Sequence, residues 1–208
     1  MLSLSRNALL RHVTPAPPNW TVAFGRLAPL EVDLGCGRGT YAWLRATRYP
    51  EVNVVALELR KKWLQQIRSQ CEREKVTNLR AIRCDISEDL PVLFAPRSVR
   101  AFTIHHPDPW WKKRHRKRRL LQPDFVEQLV DLLVPGGWIF AQTDVPDLAE
   151  EMQAALAASP RLSRVDAELF RQSQLLGLYS HREKKCLELR IPVSRMAYLK
   201  SSDPAGSA

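Results

Sequence analysis

Apolar and polar positions along the chain change period several times. Leu30 to Leu34, Val52 to Leu59, Leu79 to Cys84, Arg100 to His105 and Trp138 to Thr143 are apolar or alternating runs of strand length. Between them, apolar residues recur at three- and four-residue spacing. Such helices are expected over Tyr41 to Arg48, over residues 60 to 75 with Trp63, Leu64, Ile67 and Cys71, and over Asp147 to Ala158. Another covers Gln122 to Val134, stopped by Pro135, Gly136 and Gly137. Residues 162 to 170 and 191 to 199 are expected to close the sheet as an antiparallel pair. Strand and helix in alternation demand crossovers and a mostly parallel sheet covered on both faces, so the fold class is α/β, doubly wound. Prolines 15, 17 and 18 mark residues 1–26 as an N-terminal arm, residues 27–200 as the folded domain, and the small polar residues 201–208 as a flexible tail. In such sheets ligands bind at the carboxyl ends of the strands.

Composition narrows the partners. The 208 residues are 45% hydrophobic and 26% charged, as in a globular chain of one domain. Thirty-two Lys and Arg against twenty-two Asp and Glu leave a net charge of +10, which calls for a polyanion. No apolar stretch approaches the roughly 18 residues of a membrane span, so no membrane partner is expected. The basic start, MLSLSRNALLRHV, lacks a secretory apolar core and cleavage site, and carries no expected targeting role. Cys36, Cys71, Cys84 and Cys186 are scattered without a C-x-x-C pair. Neither a metal site nor a disulfide framework is expected, and the cytoplasm is the expected compartment.

The first strand ends in EVDLGCGRGT, where Gly35, Gly37 and Gly39 form G-x-G-x-G. Glycines there permit a tight turn and close approach of a ligand to the backbone. A dinucleotide fingerprint would place the third glycine one residue later. Glu31 and Asp33 crowd the strand end and suit a cationic ligand such as S-adenosylmethionine better than a pyrophosphate. Glu58 closes the second strand and is placed to accept ribose hydroxyls, and Asp85 closes the third, within reach of an adenine amine.

The most informative stretch is HPDPWWKKRHRKRR, residues 106 to 119. Pro107 and Pro109 fix the backbone on both sides of Asp108, a rigid carboxylate at a strand end. Trp110 and Trp111 offer a stacking surface, and seven cations fill the eight positions from Lys112 to Arg119. Such a run repels itself without an anionic partner.

Together these motifs, continued by Leu120, Leu121, Gln122 and Pro123, resemble the tRNA (guanine-N7-)-methyltransferase family over roughly residues 27 to 200. The resemblance implies a Rossmann-like methyltransferase sheet that transfers a methyl group from S-adenosylmethionine to N7 of a variable-loop guanine in tRNA. It places Glu31, Gly35, Glu58, Asp85 and Asp108 at the cofactor, with Asp108 also the catalytic residue. Lys112 and Asp144, the latter in a Thr143-Asp144 pair, fall where the family contacts substrate. Ser180, His181, Arg182 and Glu183 stand where the family carries Thr-x-x-Glu facing the guanine. Arg114, Arg116, Lys117, Arg118 and Arg119 are expected to hold tRNA phosphates. This sequence departs from the family at His106, where phenylalanine is usual, and in its shorter region before Leu27.

Three other readings share the fold. A nicotinamide-dependent oxidoreductase is disfavoured by the glycine spacing and gives the basic run no role. A non-catalytic RNA-binding protein has no need of the strand-end acids. A methyltransferase on another RNA stays open, because cations read phosphate rather than base identity. The sequence leaves monomer and homodimer equally open.

Overall fold

The computed structural model describes residues 16–202. Residues 1–15 of the expected arm and 203–208 of the expected tail lie outside the described residues. Helix α1 (Trp20–Phe24) falls within the expected arm yet packs on the fold: Trp20 stacks on Phe94 at 5.5 Å and donates its indole N–H to the Leu93 carbonyl.

Strands β1 (Leu30–Leu34), β2 (Asn53–Glu58), β3 (Leu79–Arg83), β4 (Val99–His105) and β5 (Leu133–Thr143) pair in parallel. Strand β7 (Ser194–Lys200) pairs antiparallel with both β5 and β6 (Leu162–Val165). The sheet order is β3-β2-β1-β4-β5-β7-β6, a doubly wound sheet closed by the expected antiparallel pair. Its direction of winding reverses between β1 and β4, so a crevice opens beyond the ends of those two strands.

Helices α2 (Thr40–Arg48) and α3 (Lys61–Glu74) cover one face, where Ala42, Val54, Ala56, Leu64 and Ile67 interlock. Helices α4 (Ile86–Leu93), α5 (Pro123–Leu132) and α6 (Pro146–Ala157) cover the other, on Val32, Leu34, Phe102, Ile104 and Ile139. The period of two along β1 explains this division: Leu30, Val32 and Leu34 face α4 to α6, and Glu31 and Asp33 face the opposite way.

Several local expectations change. Residues 86–93 form a helix because Asp85 caps them, its carboxylate accepting the Ser87 N–H. The helix expected to reach Val134 ends at Leu132, and β5 begins at Leu133 and runs through Pro135 to Gly137. A left-handed Gly136 and a register shift opposite Val99 and Ala101 accommodate the proline there. The strand expected over residues 162–170 stops at Val165, where Asp166 accepts the N–H groups of Glu168 and Leu169 and starts α7 (Ala167–Gln174). Helix α8 (His181–Glu188) begins at Ser180.

Candidate active site

The loop from β1 into α2 carries three left-handed glycines, with φ of 72° at Gly35, 54° at Gly37 and 73° at Gly39. They do different work. A Cβ on Gly39 would meet Ile67 of α3 at 2.4 Å, so that glycine lets two helices close. A Cβ on Gly37 would meet nothing within 4 Å, so this backbone faces open space. Glu58, at the end of β2, ties the loop down. One carboxylate oxygen accepts the Gly37 N–H at 3.0 Å, and the other accepts the N–H groups of Leu59 and Arg60 at 2.9 Å.

Asp33 stands at the mouth of β1, 2% exposed, accepting the Thr103 hydroxyl at 3.0 Å. Burial pushes its pKa up to about 7, against the lowering effect of Thr103 and with a further upward push from Glu58. A carboxyl held at that value gains most from a cation brought against it. Asp85 borders the same space beside Cys84, Ile86 and Ser87. The cleft they share encloses about 1510 Å3 and continues to the end of β4, where His106, Asp108, Trp110 and Trp111 form its other half.

Glu31, expected from sequence at the cofactor, is held inside the fold by a partner of its own. Two residues deeper in β1 than Asp33, it lies beneath α2, where Arg45 grips both carboxylate oxygens at 2.7 and 2.8 Å. It does not line the cleft; Asp33 does. Sequence reading noted both acids, but their shared face gives no sign of which one the helix covers.

Beyond β4 the chain turns sharply. His106 and Trp110 take positive φ, 52° and 45°, on either side of Pro107-Asp108-Pro109. A bulky residue such as tryptophan rarely adopts that conformation, and strain of this kind persists only where neighbours enforce it. Two bonds do so. Asp108 accepts the Trp110 N–H at 3.1 Å, and Arg119 donates from Nε to the Pro109 carbonyl at 2.9 Å.

The basic run forms a 3-10 turn (Lys113–Arg118), and its cations divide. Lys112, Arg114, Lys117 and Arg118 are exposed, with the Arg118 guanidinium 5.2 Å over the Trp110 ring. Arg116 reaches Asp147 and Glu151 of α6 at 3.4 and 3.3 Å. Arg119 differs from the rest of the run: it is 4% exposed and paired with Glu151 at 2.6 Å. It grips the turn that carries Asp108 from the wall of the cleft, with little surface left open. The run is thus partly neutralised by α6, and less self-repelling than its composition implies.

Asp144, past the end of β5, accepts from His106 Nδ1 at 2.8 Å and from the Arg182 guanidinium. Burial alone would raise its pKa, but the bonds from Arg182 and His106 outweigh that and hold it at about 2. Burial pushes the His106 imidazole below the usual histidine value, against the opposing pull of Asp144. Cys186 brings a third potential ligand atom to this pair, all within 4.8 Å of one another. The Arg182 cation on Asp144 opposes a metal ion there.

Ser180 caps α8 and forms a reciprocal capping box with Glu183. Ser180, His181 and Arg182 line the cleft, whereas Glu183 does not. Glu183 is 1% exposed, accepts from Gln142 at 2.8 Å and Arg195 at 3.0 Å and lies 3.4 Å from Arg171. Its carboxylate anchors α8 to β5 and β7.

Comparison with known proteins agrees with this architecture. A family model described as a putative methyltransferase matches residues 27–196. Over 192 residues the chain is 37% identical to a tRNA (guanine-N(7)-)-methyltransferase of Myxococcus xanthus (strain DK1622), covering 92% of this chain and 93% of that protein. A relative of the same name from Mycobacterium avium (strain 104) is 41% identical over 155 residues, which are 74% of this chain and 60% of that one. Among solved structures, the 16S rRNA methyltransferase KamB shares the fold with a TM-score of 0.64 at 16% identity, covering 88% of this chain and 92% of that one.

Proposed function

The chain belongs to the tRNA (guanine-N(7)-)-methyltransferase family, and from that premise we propose how its cleft performs the reaction. The enzyme uses S-adenosylmethionine to methylate N7 of guanine in tRNA. The observation that carries the assignment of parts is the division of one cleft into an acid-walled glycine loop and a cation-rimmed, proline-locked turn.

The residues present fit the cofactor. The open space over Gly37 admits a ligand against the backbone, and buried Asp33 has no cationic partner among the described residues. Gly35, Gly37, Glu58 and Asp85 would hold the nucleoside, and Asp33 the cationic end. When bound, S-adenosylmethionine supplies an electrophilic methyl group. Guanine N7 is an unprotonated lone pair, so no base is needed and the protein's task is alignment. Asp108, fixed by its two prolines and by Arg119, orients the base and faces the positive charge that develops on it. Lys112, Arg114, Lys117 and Arg118 take the flanking phosphates, and Trp111, 72% exposed, offers a stacking face. Asp144 with His181 and Arg182 closes the substrate side. We read the target as a guanine of the variable loop. No helix among the described residues is long and apolar enough to cross a membrane.

Bulk tRNA incubated with enzyme and methyl-labelled cofactor, digested to nucleosides and read by mass spectrometry, tests this. Label in variable-loop 7-methylguanosine is expected. Label in another nucleoside replaces the substrate, and wild-type turnover by Asp108→Asn removes that residue from its role.

A further inference from the structure

The basic run accounts for one side of the cleft mouth only. Arg116 and Arg119 tie its turn to α6, which covers the same sheet face as α4 and α5. The opposite face carries α2 and α3, and the segment leading into α8 packs there too. Leu175 and Leu178 join Tyr41 and Leu44 of α2 in one cluster. Arg45 and Arg48 of α2 donate to the carbonyls of Gln174 and Gly177, both at 2.7 Å. From this side Arg38 of the glycine loop, Trp63 of α3 and His181 of α8 border the cleft.

These elements bring exposed cations with them. The Arg38 guanidinium lies 4.9 Å, and the Lys62 ammonium 5.3 Å, from the centre of the Trp63 ring, so one indole gathers charge from two elements. Lys184 and Lys185 stand exposed on α8. Burial and the nearby cations Arg38, Lys185 and Lys184 push the His181 imidazole below the usual histidine value, against Glu188, so loop and helix share one field. Acids are scarce in these stretches: residues 59–71 contain none, and the single acid within 181–187 is buried Glu183. Among the described residues none of Arg38, Lys62, Lys184 and Lys185 has an ion-pair partner. A patch of one sign beside a cleft repels itself and draws an anionic partner to it.

We propose that Arg38, Lys62, Lys184 and Lys185 form a second phosphate-binding lip, which holds the tRNA backbone across the cleft mouth from the basic run. The proposal rests on the reading of the cleft as a tRNA methylation site and names where the rest of the strand lies. A strand that delivers one base into a cleft has phosphates on both sides of that base. Cations on one lip alone tether it at a pivot, free to swing, whereas cations on both lips fix its direction across the mouth. Phosphate contacts position a nucleic acid without reading its sequence, so this lip supplies register and leaves the choice of base to groups inside the cleft. The basic run adjoins the Asp108 turn, and the second lip adjoins the glycine loop. Holding the strand at both places aligns the methyl acceptor with the donor.

Lys62→Ala, Lys184→Ala and Lys185→Ala combined in one variant test the proposal, because all three side chains are exposed and none lines the cleft wall. Filter binding of a tRNA transcript beside S-adenosylhomocysteine, across a salt series, is expected to give a log–log slope lower than wild type by roughly 2 to 3. Phosphate ethylation interference on the same transcript locates the contacts. In the wild type two groups of phosphates, one on each side of the target guanosine, are expected to be sensitive. The triple variant should lose sensitivity at one group only, and replacing Arg114, Lys117 and Arg118 by alanine should lose it at the other only. Binding of S-adenosylhomocysteine within about twofold of wild type shows that each variant is folded. An unchanged slope in the triple variant overturns the proposal, because those cations then do not meet the RNA. Equal loss at both groups overturns it as well, because the effect is then one of net charge alone. A wild-type enzyme that binds tRNA but makes no 7-methylguanosine overturns the reading of the cleft instead, and the interference pattern still decides whether the lip exists.

Discussion

Asp33 and Glu31 leave the same strand on the same face, yet their surroundings give them opposite chemistry. Arg45 holds Glu31 by both oxygens in a buried pair. Removing one member of such a pair leaves a buried charge and typically costs about 3–5 kcal/mol. Glu31→Gln is expected to lose stability on that scale in urea unfolding, with cofactor affinity changed less than about threefold. Asp33 has no such cation among the described residues. Its pKa in the folded chain, about 7, lies above its ordinary value of 3.8, so between those values the folded state binds more protons than the unfolded one. Stability of the ligand-free protein therefore falls as pH rises through that window. A cation placed against Asp33 favours the ionised form, so S-adenosylmethionine binding near pH 7 is expected to release a fraction of a proton. Titration calorimetry in two buffers of different ionisation enthalpy measures it, and Asp33→Asn should abolish the difference. Sequence alone placed both acids at the strand end. What it lacked was the depth at which α2 crosses the strand, because the pleat specifies a face and not a cover.

At the scale of elements, the strands were legible and several helices were not. Strands β1, β2 and β4 lie almost wholly buried, so apolar content alone marks them. Helix α4 contains Pro91, which argues against a helix interior, and α7 buries no residue fully. Their start signals were present nonetheless, in Asp85 and Asp166 as side-chain caps. In sequence the basic 3-10 turn is a uniform cationic patch, because charge counts carry no depth. Its exposed members and its buried member predict different behaviour. Replacing Arg114, Lys117 and Arg118 by alanine is expected to lower the log–log salt slope of tRNA binding by roughly 2 to 3. Arg119→Ala should leave that slope unchanged and lower kcat instead, because it releases the Pro109 carbonyl. Filter binding across a salt series, beside steady-state rates, separates the two.

The whole molecule places its cleft at the reversal of winding, where β1, β2, β4 and the segment just after β3 each deliver a residue to a single ligand space. A ligand that binds only this assembled state stabilises all of it. S-adenosylhomocysteine at about one hundred times its Kd adds roughly 2.7 kcal/mol. For a chain of this size that is a rise in Tm of about 5–10 °C, readable by scanning calorimetry. The burial of Arg119 has a consequence at this scale as well. One eight-residue run performs two tasks whose sensitivity to ionic strength differs, since buried pairs are screened far less than exposed ones. Capture of tRNA by the outer cations slows as salt rises, while the buried anchor keeps the Asp108 turn in register. The fraction of captured molecules that are modified is therefore insulated from the ionic conditions that govern how often capture happens.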